Sequence, residues 1–280
     1  MIKRIKQQLL PKSIGALLNL QFQFQSEKAI SQSLKLFVSP RKGRYDNDQL
    51  PAFLEKASIS WHTVHEERFP LYALQSGFGQ TILLVHGWES NAGRWEALIP
   101  FLEGFNVYLL DAPAHGKSSG TNFHVPLYAK CVAHICKHIT VDCLIGHSVG
   151  GTTALFHQAC SAFKVPHLIS LGAPIDMNKI MRNYVKLLSL NASLGEAFIE
   201  KFEKEVNLKT AEFDQLMSQF PQKTKGILVH DKTDEVVFID ELSKIQQYWK
   251  TAKIIITHDL GHSMHDEKLY KELRAYLTQM

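Results

Sequence analysis

Apolar and polar positions change period several times along this chain, and the changes outline its elements. Residues 1–25 carry apolar positions at helical spacing, and a second helix-like run covers Glu27 to Phe37 before the stop Ser39-Pro-Arg-Lys-Gly-Arg44. Pro11 limits the first helical piece to about ten residues, because a proline removes a helix hydrogen bond. From Ala57 the period shortens to two. Ile59, Trp61 and Thr63 alternate with polar neighbours, Phe69–Leu74 follows, and together they predict an antiparallel hairpin. Thr81–Val85 is a continuous apolar run, as in strands covered on both faces. Strands at Val107–Leu110, Asp142–Gly146, His167–Leu171, Ile227–His230 and Lys253–Thr257 then alternate with helices near Gly93–Leu102, Val125–Ile139, Val149–Ala162, Ile239–Tyr248 and Lys268–Leu277. That alternation predicts an α/β fold, with a mostly parallel eight-stranded sheet flanked by helices.

About fifty residues between Pro174 and Gly226 break the rhythm. Tyr184, Leu187, Leu188 and Leu190, then Phe198, Ile199 and Phe202, recur at helical spacing with no strand between them. The stretch reads as a helical cap inserted at about 175–224. Met177, Tyr184 and Leu188 are its candidate pocket-lining side chains. The chain therefore divides into a basic helical arm, 1–56, and one domain, 57–280, that contains the cap.

Charge sharpens that division. Residues 1–44 hold nine Lys and Arg against one acid, Glu27, while the rest of the 280 residues carries 22 basic and 26 acidic side chains. An acidic body argues against nucleic acid as a partner. Lys3, Arg4, Lys6 and Lys12 lie beside Ile2, Ile5, Leu9 and Leu10, then Leu17, Leu18, Phe22 and Phe24, a mixture that suits a membrane surface. The expectation is instead that this apolar face packs on the body of the 57–280 domain and that the lysines are merely solvated, as amphipathic helices usually bury such a stripe. Gln7, Gln8, Lys12 and Asn19 interrupt the apolar core that a cleaved leader would need. The four cysteines form no Cys-x-x-Cys and read as reduced thiols, so a cytoplasmic setting is expected, peripheral to a membrane at most.

The chemistry concentrates at Gly146-His-Ser148-Val-Gly150. The motif follows an apolar strand and opens a helix, the strand–turn–helix setting of a nucleophile elbow. There a helix N-terminus turns free N–H groups toward the serine. His86-Gly-Trp88 directly follows the strand ending at Val85. Its position suits an oxyanion hole made of the backbone N–H groups of Trp88 and Val149. Cys131, His134 and His138 share one helix face. They lack a fourth ligand and a Glu base, so an ordinary helix face is preferred to a zinc site. His62 and His65 point to opposite sides of a strand and are not read as joint ligands.

His86-Gly-Trp88, Asp111-Ala-Pro-Ala-His-Gly-Lys-Ser118 and Gly146-His-Ser-Val-Gly150, in this order and spacing, resemble the α/β-hydrolase superfamily from about Ala57 onward. Ala114 stands where that superfamily usually has Gly, and the basic arm lies outside the likeness. The resemblance implies a Ser, Asp/Glu, His order for the catalytic groups. It places the acid in the loop Asp231-Lys-Thr-Asp234-Glu235, where Asp234 is preferred to Asp231 and Glu235. It places the base after the last strand, where His262 is preferred to His258 and His265. It implies a serine hydrolase acting on a small-molecule acyl substrate with no metal and no cofactor. A carboxylic ester ranks first, and a thioesterase or amidase is the alternative. A catalytically silent member that docks on a membrane or partner is the reading from another class.

Overall fold

The computed structural model describes residues 2–75 and 79–280, with the side chains of 1–9, Asp48 and Gln75 outside the described set. The expected roles of Ile2, Lys3, Arg4, Ile5, Lys6 and Leu9 therefore lie outside the described side chains. In chain order the elements are α1 (Ile2–Phe24), α2 (Ser26–Val38), α3 (Ala52–Glu55), β1 (Ser58–Val64), β2 (Glu67–Gln75), β3 (Thr81–Val85), β4 (Asn106–Leu110), α4 (Val125–His138), β5 (Cys143–His147), α5 (Val149–Cys160), β6 (His167–Leu171), α6 (Met177–Leu188), α7 (Ala192–Val206), α8 (Thr210–Met217), β7 (Lys225–Asp231), α9 (Asp240–Tyr248), β8 (Lys253–Thr257) and α10 (Glu267–Leu277).

The chain forms two compact units, 1–39 with 176–215, and 40–175 with 216–280. The larger unit is built on an eight-stranded sheet of order β1-β2-β4-β3-β5-β6-β7-β8. β2 pairs antiparallel with β1 and β4, and all other pairs are parallel. Its central strands are apolar on both faces because both faces are covered. Ile82, Leu83, Leu84 and Val85 are fully buried, as are Cys143, Leu144 and Ile145. At the edge, Ile59 and Trp61 stay exposed, and Arg68 lies 4.2 Å over the Trp61 ring.

The helix expected near Gly93–Leu102 is instead two short 3-10 turns, Ala92–Trp95 and Ile99–Leu102. Pro100 has no N–H to give a longer helix, and the Asn91 side chain caps the first turn by accepting from Gly93 N at 2.9 Å. Residues 40–44 are tied to the larger unit. Gly116 N donates to Gly43 O at 2.7 Å, and the Arg44 guanidinium donates to the carbonyls of Gly116, Ser118 and Gly120.

The smaller unit has its own core. Leu18 of α1, Ala29 and Ile30 of α2, Leu188 of α6, Leu190 in the α6–α7 connection and Leu194 of α7 bury one another. Leu34, Val38, Met181, Phe198 and Phe202 make a second cluster, where the Phe37 ring meets Tyr184, Phe198 and Phe202 at 4.9–5.4 Å. The backbones of α1 and α6 approach so closely that a Cβ on Gly15 would sit 1.6 Å from Leu188 O. Asn19 stitches the same contact, donating to Ser189 O at 2.9 Å and accepting from Asn191 N at 2.8 Å.

Two expectations change in this unit. The α1 helix runs through Pro11 rather than stopping near it, since the packing of Ile14, Leu18 and Phe22 holds the segment that follows. Leu188 is buried in the unit's own core, and the half-buried Tyr184 and Met177 pack against it too, the Tyr184 hydroxyl donating to Ser33 O at 2.8 Å. Among the described residues, no helix is long and apolar enough to cross a membrane.

Candidate active site

The candidate catalytic residues lie on the larger unit, at the carboxyl ends of its parallel strands, where open α/β sheets place ligands. β5 is buried throughout and ends at His147. Ser148 follows with φ +54° and ψ −128°, and α5 begins at Val149. A positive φ costs a non-glycine residue energy, and the surrounding structure has to hold it there. One such constraint is the 2.8 Å bond from Ser148 N to Leu171 O on β6. Another is the closeness of β3. A Cβ on Gly150 would fall 2.2 Å from Val85 O and 2.4 Å from His86 O, so only glycine lets the elbow press against the strand that leads to Trp88.

The loop after β3 is set by a histidine chain. His86 is fully buried, and burial lowers its pKa to about 4. The neutral ring uses both nitrogens: Nδ1–H donates to Gly87 O at 2.8 Å, and Nε2 accepts from Ala112 N at 2.9 Å. His115, held neutral by burial and the neighbouring His86 with its pKa lowered to about 3, accepts from Glu89 N at 3.0 Å. Asp111 anchors the same region. Its carboxylate accepts from Tyr45 Oη at 3.1 Å, Tyr72 Oη at 2.7 Å, Ala92 N at 2.9 Å and Lys117 N at 3.0 Å. In the sequence Asp111 and His115 stand out only as members of the Asp111–Ser118 motif that resembles the superfamily. Their buried bonds show how that loop is held.

Three expected residues converge. Ser148 Oγ lies 2.9 Å from His262 Nε2, and His262 Nδ1 lies 2.7 Å from Asp234 Oδ2. The Asp234 side chain is fully buried, while that of His262 is 21% exposed. The other Asp234 oxygen, Oδ1, accepts from Val236 N at 2.8 Å and Val237 N at 2.9 Å, which fixes the carboxylate toward the ring. The imidazole thus has a donor site at Nδ1 and a free lone pair at Nε2 facing the hydroxyl. That arrangement can take a proton from the serine.

The residues ranked second lie elsewhere. Asp231 is fully buried and accepts from Thr233 N and Oγ1, Thr257 Oγ1, Leu260 N and Gly261 N at 2.6–3.2 Å. It ties the loop bearing Asp234 to the loop bearing His262. Glu235 and His258 are exposed, and His265 pairs with Tyr270 Oη at 2.6 Å. His147, beside the nucleophile in the sequence motif, also contributes. Burial, with Arg94 nearby, keeps it neutral, and its Nε2–H donates to His262 O at 2.7 Å. His62 meets His134 across β1 and α4, with Nδ1 3.2 Å from Nε2, while His65 pairs with Lys130. Among the described residues, no group of three or more His, Cys, Asp or Glu is placed to hold a metal ion.

Burial raises the Asp231 pKa, but hydrogen bonds from Thr233, Thr257 and the Leu260 backbone outweigh it and bring the net value down to about 2. A folded-state pKa below the ordinary 3.8 stabilises the fold above that value, and the gain is lost as pH falls from about 4 to about 2. Asp231→Asn turns one oxygen into a donor that faces donors. We expect a loss of about 2 kcal/mol at neutral pH and a flatter acid limb in thermal melts between those pH values. An unchanged melting temperature would count against this role.

The fold and these motifs define the class: this is a protein of α/β-hydrolase fold. Residues 80–194 match the family model described as alpha/beta hydrolase fold. A pimeloyl-[acyl-carrier protein] methyl ester esterase of Xylella fastidiosa is 33% identical over 105 residues, covering 37% of this chain and 40% of the esterase. A human serine hydrolase-like protein is 29% identical over 104 residues, covering 35% of this chain and 51% of its own. The chain thus spans about 40% of the length of the first of these relatives. Among solved structures, a Pyrococcus furiosus esterase aligns with TM-score 0.64 at 19% identity over 86% of this chain and 99% of its own. A bacterial membrane phospholipase A aligns with TM-score 0.60 at 18% identity over 100% of this chain and 99% of its own.

Proposed function

We propose that this protein is a serine hydrolase that cleaves a carboxylic ester through a Ser148–His262–Asp234 triad and a covalent acyl-enzyme. The observation that carries the reading is the unbroken hydrogen-bonded chain from Ser148 Oγ through both imidazole nitrogens to a buried carboxylate. The methyl ester esterase among the relatives supports an ester as the bond.

The chemistry follows from the geometry. Ser148 Oγ attacks the acyl carbon while His262 Nε2 takes its proton. The carbonyl oxygen becomes an oxyanion and is met by the N–H groups of Val149 and Trp88. Val149 stands at the first position of α5, where a helix leaves its N–H unpaired. Each such donor contributes about 3 kcal/mol to the transition state. The tetrahedral intermediate collapses, His262 gives its proton to the leaving alkoxide, and an alcohol departs. Water then attacks the acyl-enzyme. His262 takes a proton from the water and returns one to Ser148 Oγ, releasing the acid. Asp234 keeps the ring in its Nδ1–H tautomer and stabilises the imidazolium in both halves.

The test is a panel of p-nitrophenyl esters, matching thioesters and anilides, together with a fluorophosphonate probe and peptide mapping. We expect ester turnover and labelling of Ser148 alone. A folded protein that neither labels nor turns over any acyl compound would overturn the reading, and faster thioester or anilide cleavage would move the substrate class.

A further inference from the structure

The α1 helix is apolar on two sides, and the smaller unit's core uses only one of them. Ile14, Leu18 and Phe22 face that core. Leu10, Leu17, Leu20 and Phe24, at i, i+7, i+10 and i+14, form a second stripe and remain 60%, 69%, 56% and 79% exposed in the folded chain. Isolated exposed leucines are ordinary, but four large apolar side chains aligned on one helix face mark a surface that something covers.

Charge identifies what covers it. Residues 1–44 hold nine Lys and Arg and one acid, although the remainder of the chain is net acidic. Lys12 on α1 and Lys28 and Lys35 on α2 are exposed. Pairing this face with the same face of a second copy would bring the positive segment against its own like charge. Nucleic acid would meet the charge and leave the leucines uncovered. An anionic bilayer satisfies both features: Leu and Phe enter the headgroup–acyl boundary while Lys and Arg meet lipid phosphates. A helix of 23 residues is about 35 Å long, enough to lie along an interface over several turns.

We infer that the Leu10–Leu17–Leu20–Phe24 face of α1 docks this protein on an anionic lipid surface. The helix lies in the interface and does not span it. The inference uses nothing from the catalytic reading, and its test reads binding rather than turnover.

The experiment is co-sedimentation of the full chain with vesicles of phosphatidylcholine alone and of phosphatidylcholine mixed with phosphatidylglycerol. Binding to the mixed vesicles only, weakening as salt rises, is the expected result. The combined Leu17→Ser, Leu20→Ser and Phe24→Ser variant changes only exposed positions, so a wild-type melting curve should accompany a loss of at least about tenfold in partitioning. Lys12→Glu should lower partitioning about fivefold or more. Absence of binding by the intact chain, or equal binding to neutral vesicles, would overturn the proposal. So would a dimer in sedimentation velocity that the triple variant dissociates, which would assign the face to a second copy.

Discussion

Replacing Ser148 by Ala is expected to lower kcat for ester hydrolysis by about 10⁶-fold, with the melting temperature within error of the parent. The hydroxyl is the group that faces the His262 Nε2 lone pair, and the Ala side chain fits wherever the Ser Cβ did. His262→Ala should cost nearly as much, because the groups act as a unit and removing one leaves the others idle. Asp234→Asn is the sharper variant. The carboxamide preserves shape, but it can present an N–H to His262 Nδ1. The ring is then driven to the tautomer whose Nε2 carries the proton, and it can no longer accept from Ser148. The expected loss is about 10⁴-fold in kcat. Steady-state kinetics with active-site titration checks all three. A larger kcat loss for Asp231→Asn than for Asp234→Asn would reverse the assignment of the acid, because among the described residues the Asp231 carboxylate accepts from threonines and backbone N–H groups and not from His262.

Asp111→Ala is expected to be the most damaging single change to stability, at about 4 kcal/mol. Four donors converge on that carboxylate within 3.1 Å: two buried tyrosine hydroxyls and the N–H groups of Ala92 and Lys117. Removing the acceptor leaves all four without it in a fully buried place and opens a cavity as well. For a chain of this size the melting temperature should fall by roughly 10 °C. Tyr72→Phe removes one donor and leaves the acceptor served by the rest, so about 1 kcal/mol is expected. Activity should fall with Asp111→Ala too, because its neighbour Ala112 donates to the His86 ring that in turn bonds Gly87 O. Thermal melts paired with fluorophosphonate labelling rates separate the two effects. An Asp111→Ala protein that melts like the parent would remove Asp111 from this role.

The local signals in the sequence are those with a short-range physical cause. Buried central strands have to be apolar on both faces, so Thr81–Val85 and Cys143–Ile145 are readable as strands without any partner in view. The elbow is readable because its glycines and serine are consecutive, and because strand, turn and helix follow one another within the motif. The Pro40–Arg44 stop likewise follows α2 and begins the larger unit.

What distance in the chain separates, only folding could join. Asp111 and His115 carry a loop motif, but the phenols of Tyr45 and Tyr72 lie 66 and 39 residues away from Asp111. His147 stands beside the nucleophile in the sequence, while its hydrogen bond goes to a carbonyl 115 residues on. The course of α1 departs from the expectation at Pro11 for the same reason. A proline's cost is local and visible, whereas the packing of Ile14, Leu18 and Phe22 against helices from residues 176–215 is not. Likewise Met177, Tyr184 and Leu188 are legible as an apolar helix face, but period alone cannot say which surface that face meets. Sequence period reports that a side chain leaves water; which partner receives it depends on contacts between segments far apart in the chain, and those exist only once the tertiary structure has formed.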